Sequence, residues 1–177
     1  MLEHFKFCKT REVMTPCRGT EEAAGIDFFI PTDLKEDIMT EKMKMTKSYP
    51  LIQYNLFGHV DKISLKPKQS ILIPAGIHIS LEKGYCLKFE NKSGVAAKKH
   101  ILIGSSIVDS DYSGEIHINL HNVGASDVEI TAGEKVAQGI IYKIELPIFD
   151  EYKNPVELYA GRKSARGAGG FGSTDKK

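Results

Sequence analysis

The chain has 177 residues, with 24 Lys and Arg against 23 Asp and Glu for a net charge of +1 at neutral pH. That length supports one domain with a real core, and the balanced charge excludes a global electrostatic case for nucleic acid or anionic membrane, so any anion binding must be local. No apolar run reaches the length of a membrane span, the N-terminus lacks an export segment, and Cys8, Cys17 and Cys86 show no CxxC spacing; these features predict a cytoplasmic protein with reduced thiols and no zinc knuckle.

Residues 5–13 read as a first strand, broken by the turn-forming Thr15-Pro16-Cys17-Arg18-Gly19-Thr20. Small residues then lead into Ile26-Asp27-Phe28-Phe29-Ile30, where a lone acid stands among apolar neighbours. A carboxylate there is costly unless paired or solvated, and it reads equally as a local backbone cap or as a functional group. Residues 31–59 mix charges and long side chains without a strand period and predict an inserted, solvated surface segment. Leu34, Ile38 and Met45 are available to line a short helix that ends before Tyr49-Pro50.

Alternation resumes at 62–65, 70–74, 77–81 and 85–90 and predicts four strands. His78 has no partner histidine at ligand spacing, so no zinc site is predicted. Lys92-Ser93-Gly94 then enters a run of good helix formers ending at His100, and a cation, a hydroxyl and free N–H groups at a helix start can hold a phosphate. This is not a GxxxxGK[ST] phosphate loop, and an ordinary solvated helix is the plain alternative. Residues 104–116 read as a β-hairpin presenting chemistry between the apolar runs 101–103 and 116–120, with Asp109 on its first arm; a simple Asp-Ser-Asp turn is the competing reading. Beyond it, 128–130 and 136–144 read as strands, the last interrupted by Gln138, an amide that needs partners if buried. The tail from 162 onward is rich in glycine and cations around one ring, Phe171, and predicts a strap that orders over an anionic, ring-bearing ligand.

Five of these stretches, in this order, resemble the five motifs of the trimeric deoxyuridine triphosphatases (dUTPases): Ala24-Gly25-Ile26-Asp27, Lys92-Ser93-Gly94-Val95-Ala96, Ile107-Val108-Asp109-Ser110-Asp111-Tyr112-Ser113-Gly114, Gly133-Glu134-Lys135-Val136-Ala137-Gln138, and the tail from Arg166 to Thr174. The resemblance implies an all-β, jelly-roll-like barrel subunit over 1–161, with 31–59 inserted, and a C-terminal arm over 162–177. It also implies a homotrimer whose active sites are shared between chains, splitting dUTP into dUMP and pyrophosphate. By position, Asp109 resembles the general base for water attack on the α-phosphorus and Tyr112 the ring beneath the deoxyribose. Ser106 and Ile107 lie on the arm whose main chain would pair with uracil. Lys92, Ser93, Gly94 and Gln138 match phosphate contacts. Asp27 matches an acid that meets Mg²⁺ through water, the cation being held mainly by the triphosphate oxygens. In the arm, Phe171 would stack on uracil, with Arg166, Ser173 and Thr174 toward the γ-phosphate and Gly172 between ring and hydroxyls.

The sequence departs from the family at Lys92, where Arg is usual, at Asp175, where Gly is common, and in 31–59, whose length is similar to that of some virus-encoded members and offers a surface for a protein partner. Two alternatives stand beside dUTP hydrolysis: a dCTP deaminase of the same fold, and a nucleotide-gated interaction protein without catalysis. No direct nucleic-acid or membrane contact is expected, and a virus-encoded form would work in the host cytoplasm.

Overall fold

The computed structural model describes residues 4–164 and 167–168. The chain divides into two compact units, Met1–Glu145 and Leu146–Lys177. In the first, β1 (Lys6–Lys9), β2 (Cys17–Arg18) and β3 (Ile26–Phe29) precede helix α1 (Glu36–Thr46). Strands β4 (Leu51–Tyr54), β5 (Val60–Leu65), β6 (Ser70–Pro74), β7 (Ile77–Ser80) and β8 (Tyr85–Asn91) lead to helix α2 (Ser93–Lys99). Then come β9 (Ile101–Ile103), β10 (Ile107–Val108), β11 (His117–Asn122), β12 (Val128–Thr131) and β13 (Lys135–Lys143). The second unit holds a single-turn helix, α3 (Pro155–Leu158), whose first turn is capped by the Asn154 side chain accepting from the Glu157 N–H. None of the described helices is long and apolar enough to cross a membrane.

The strands pair antiparallel in four small sheets, ordered β1-β7, β10-β8-β13-β3-β2, β6-β11-β9 and β12-β5-β4. Period-2 alternation does the sorting: β5 buries Ile63 and Leu65, β6 buries Ile71 and Ile73, and β11 buries Ile118 and Leu120. All join one hydrophobic cluster, and the chain has the jelly-roll-like β architecture that the resemblance implies, though its strands lie in four sheets with no closed barrel among the described residues. In the largest sheet β13 lies between β3 and β8, and Gly139 is required there. A Cβ at that position would fall 2.7 Å from Leu87 Cδ1 and 2.9 Å from Phe28 Cε2, and its absence lets Phe28 and Phe89 meet edge to face at 4.9 Å.

Three expectations change. The first strand covers only Lys6–Lys9, because Thr10 N–H turns to the Gly76 carbonyl and the Glu12 carbonyl accepts from Thr32 N–H. The 104–116 hairpin is not a continuous two-armed ribbon: β9 pairs with β11, but Ser105 N–H bends to Asn119 Oδ1 and β10 crosses to the edge of β8, pairing Ile107 with Lys88 and Val108 with Leu87. The loop carrying Asp109 therefore bridges two sheets.

The 31–59 segment is not a solvated excursion. Leu34 and Met39 are fully buried, Met43 packs against the core, α1 lies on β6, and β4 pairs with β5. Met39 is the buried helical position, with Met43 one turn on and Ile38 both half-buried and Met45 exposed. Lys47, at φ +52°, ends the helix in a left-handed turn, and Ser48 Oγ then accepts from Ser70 N–H at 3.1 Å, fastening the segment to β6.

Candidate active site

The loop between β10 and β11 opens a cavity of about 190 Å³ lined by Ser105, Ser106, Ile107, Val108, Asp109 and Tyr112, with Leu72, Phe89, Ile116 and His117 as its apolar and ring-bearing walls. Asp109 is exposed at this cavity, one residue past the buried Val108, so the strand end fixes the backbone and leaves the carboxylate in solvent. β10 is an edge strand: Ser106 carbonyl accepts from Phe89 N–H at 2.7 Å, and its far side has no strand partner among the described residues. Ile107 and Tyr112 are both well exposed. His117 donates from Nδ1 to the Glu115 carbonyl at 2.9 Å; burial first, then nearby Lys42, hold its pKa below the ordinary 6.5. Among the described residues, Asp109 is the only acid lining this cavity, and neither Lys nor Arg lines it.

The cations stand in a second cluster, built where β3, β8 and β13 meet. Asp27 is buried, and both of its oxygens are taken: Lys92 Nζ lies 2.6 Å from Oδ1 and Lys135 Nζ lies 2.8 Å from Oδ2. A β-bulge between Lys135 and Ala137 puts Lys135, in place of Val136, opposite Phe29 and so on the face that carries Asp27 and Gln138. Gln138 donates from Nε2 to the Asn91 carbonyl at 2.9 Å, and its amide fills the space where any residue larger than glycine at 25 would place its Cβ. The first, second and fourth motif stretches thus converge. Ser93 and Gly94, exposed at the start of α2, have no side-chain cap on the first turn, and a Cβ at Gly94 would meet nothing within 4 Å. Arg166, Phe171, Gly172, Ser173 and Thr174 lie outside the described residues.

Within one chain the structure therefore brings Ser106, Ile107, Asp109 and Tyr112 to one cavity, and Asp27, Lys92 and Gln138 to a separate cluster beside Ser93 and Gly94. The pairing of Lys135 with Asp27 was not legible in the sequence; the bulge that aims it has no local signal. Nor does any local pattern single out His117 as a wall of the cavity.

The dUTPase family profile matches residues 54–175. The chain belongs to the dUTPase family, the dUTP diphosphatases. It is 38% identical over 119 residues to the deoxyuridine 5′-triphosphate nucleotidohydrolase of Wolinella succinogenes, covering 66% of this chain and 76% of that one. Its fold matches a mutant dUTPase of Staphylococcus bacteriophage 80alpha with dUpNHpp, at TM-score 0.72 and 19% identity over 98% of this chain and 99% of that one. A mutant dUTPase from the S. aureus phage phi11, described with a structural Mg(II) ion, matches at TM-score 0.64 and 18% identity over 86% of this chain and 98% of that one.

For a divalent cation, this dUTPase offers no group of three or more His, Cys, Asp or Glu side chains among the described residues. Asp27 already faces two ammonium groups, an arrangement that does not fit a third cation at the same carboxylate.

Acid stability follows from the same contacts. Burial pushes the carboxyls of Asp27 and Glu115 up, but the lysines at Asp27, and Arg11 with Gly76 N–H at Glu115, outweigh it and hold both below their ordinary values of 3.8 and 4.5. Depressed carboxyls stabilise the fold above those values and lose that contribution as the pH falls below them, through the lower values of the folded state. His117, held neutral, costs stability below 6.5, because the unfolded chain then binds more protons. Urea midpoints should fall from pH 7 to pH 3, and below pH 4.5 more shallowly in Glu115→Gln; parallel slopes there would exclude Glu115 from the effect.

Proposed function

We propose that the chain hydrolyses dUTP to dUMP and pyrophosphate through a water held by Asp109 and aimed at the α-phosphorus. The observation that carries this reading is a solvent-reachable carboxylate at the mouth of a small cavity with apolar and aromatic walls beside Tyr112. A volume of about 190 Å³ is below the roughly 300–1,000 Å³ of a full ligand pocket, so it suits the nucleoside end and leaves the charged tail outside. The free edge of β10 offers main-chain groups to uracil as a neighbouring strand would, with Ser106 and Ile107 framing the base, and Tyr112 packs beneath the deoxyribose.

A triphosphate needs neutralisation that this cavity lacks. Lys92, with Ser93, Gly94 and Gln138, supplies it, and the separation of the two clusters within one chain supports a homotrimer in which one subunit completes another's site. Asp27 acts here as the counter-ion that orients Lys92; Mg²⁺ would be held by the triphosphate oxygens and would supply charge neutralisation to them. The arm, with Phe171 on the base and Arg166, Ser173 and Thr174 on the γ-phosphate, closes the site against bulk water. A partner-binding role for the 31–59 segment would draw on its exposed apolar side chains, Leu56 and Phe57 between β4 and β5 most exposed, with Met45, Tyr49 and Leu51 beside them in the sequence.

Purified protein with Mg²⁺ is expected to release pyrophosphate from dUTP far faster than from dTTP, dCTP or UTP. Equal rates on all four would overturn the reading, and ammonia released from dCTP would replace it with deamination. Lys92→Met should raise the KM for dUTP about 10- to 100-fold, the loss of one charge-assisted hydrogen bond of about 1.5–3 kcal/mol, whereas Lys92→Arg should keep it. A full-activity Lys92→Met variant would remove the lysine from the phosphate site.

A further inference from the structure

The loop that presents Asp109 and Tyr112 is fastened at its far end by Glu115, which the proposed mechanism does not use. The side chains of Glu115 and Arg11 are each 18% exposed, and the contact between them is two-pronged: Arg11 donates from Nε to Oε1 at 2.7 Å and from Nη2 to Oε2 at 2.9 Å. Gly76 N–H donates to Oε1 as well, at 2.8 Å. The guanidinium reaches this place only because residue 76 has no side chain; it sits at φ +68°, and a Cβ would fall 2.8 Å from Arg11 Cβ. Stretches at residues 11, 76 and 115 are thereby locked to one point by charge-assisted bonds.

What Glu115 then holds is the ring. Its main-chain carbonyl accepts from the Tyr112 hydroxyl at 2.9 Å and from His117 Nδ1 at 2.9 Å, while the next residue is pinned on both sides, Ile116 N–H to Ile77 carbonyl and Ala75 N–H to Ile116 carbonyl. Tyr112 is 44% exposed, so apolar burial alone does not fix its position. The ring rests over Gly114, where a Cβ would collide with its hydroxyl, and its polar end is tied to Glu115. A ring that excludes a sugar hydroxyl by contact must stand within a few tenths of an ångström of its place.

We propose that the Arg11–Glu115 pair is a positioning device for Tyr112, and that it sets how strongly the site rejects ribose in place of deoxyribose. The inference rests on the reading of Tyr112 as the sugar-facing ring. Glu115 does not touch the substrate; it acts through its own carbonyl and the hydroxyl tied to it. Loosening the carboxylate lets residues 112–115 shift, and the ring retreats from the 2′ position.

The test is the ratio of kcat/KM for dUTP to that for UTP, with thermal unfolding measured on each full-length variant. Glu115→Gln should lower the ratio about tenfold, the equivalent of one hydrogen bond, chiefly through a gain on UTP. Tyr112→Phe should lower it similarly, and Glu115→Gln added to Tyr112→Phe should lower it no further, because both remove the same tether. Arg11→Lys, which keeps the charge but not the fork, should fall between wild type and Glu115→Gln, and it serves alone if Glu115→Gln does not fold. A destabilised variant with an unchanged ratio would make the pair merely structural, and additive losses in the double variant would uncouple it from Tyr112; either result overturns the proposal. Wild-type protein without preference for dUTP over UTP would instead remove the sugar-facing reading itself.

Discussion

Asp109→Asn is expected to lower kcat for dUTP by about 10²–10⁴-fold, the usual contribution of a positioned general base, with KM and the unfolding midpoint little changed. The basis is what distinguishes this carboxylate from the paired acids Asp27 and Glu115, and from Asp111, which is exposed on the same loop but does not line the cavity. Asp27 is closed between two lysines, and Glu115 between a guanidinium and a backbone N–H, so each is a poor proton acceptor. Asp109 stands exposed at a cavity whose described lining includes no cation, on the first residue after an edge strand that fixes its backbone. Asn keeps the shape and the polar surface, and an exposed substitution of this kind changes stability by no more than about 0.5 kcal/mol. Loss of turnover with retained substrate binding therefore isolates the proton transfer. Single-turnover measurements beside equilibrium binding of a non-hydrolysable dUTP analogue separate the two. An Asn variant with undiminished turnover would move the base elsewhere, and a variant that no longer binds the analogue would make Asp109 a binding residue.

The strands that carry this site were legible because apolar residues recur two apart in them, Ile63 and Leu65 in β5, Ile71 and Ile73 in β6, Leu87 and Phe89 in β8, Ile118 and Leu120 in β11, all buried. The family membership was legible for a different reason, the order of five short stretches along the chain, none of which is decisive alone. What the sequence hid is set by contacts between distant positions. Arg11 and Glu115 are 104 residues apart, and neither carries a local pattern that would pair them. The bulge in β13 that turns Lys135 toward Asp27 adds one residue to a run that otherwise reads as ordinary alternation. The hairpin around Asp109 was misread because two apolar runs flanking a turn-rich stretch look alike whether they pair with each other or with different sheets; here Asn119 draws Ser105 aside and β10 finds its partner in β8.

The 31–59 segment was hidden in a further way, and it yields the second large effect: Leu34→Ala is expected to cost about 2–5 kcal/mol of stability, as truncation of a buried leucine does. Leu34 is 0% exposed, as is Met39 one turn into α1, and the backbone around them is tied down by Val60 N–H donating to the Leu34 carbonyl at 2.7 Å. The charges that made the stretch read as solvated, Glu36, Asp37, Glu41 and Lys44, line the outer side of α1, where their number says nothing about the few apolar side chains beneath. Met45→Ala, on the same helix but 62% exposed, should change stability by no more than about 0.5 kcal/mol. Urea unfolding at matched protein concentration reads both, and the concentration must be matched because subunit association would add to apparent stability. A segment that merely rides on the surface would show two small and equal effects. A core segment shows the leucine alone, and because α1 rests on β6, whose Leu72 lines the cavity beside Asp109, the same variant should also raise the KM for dUTP.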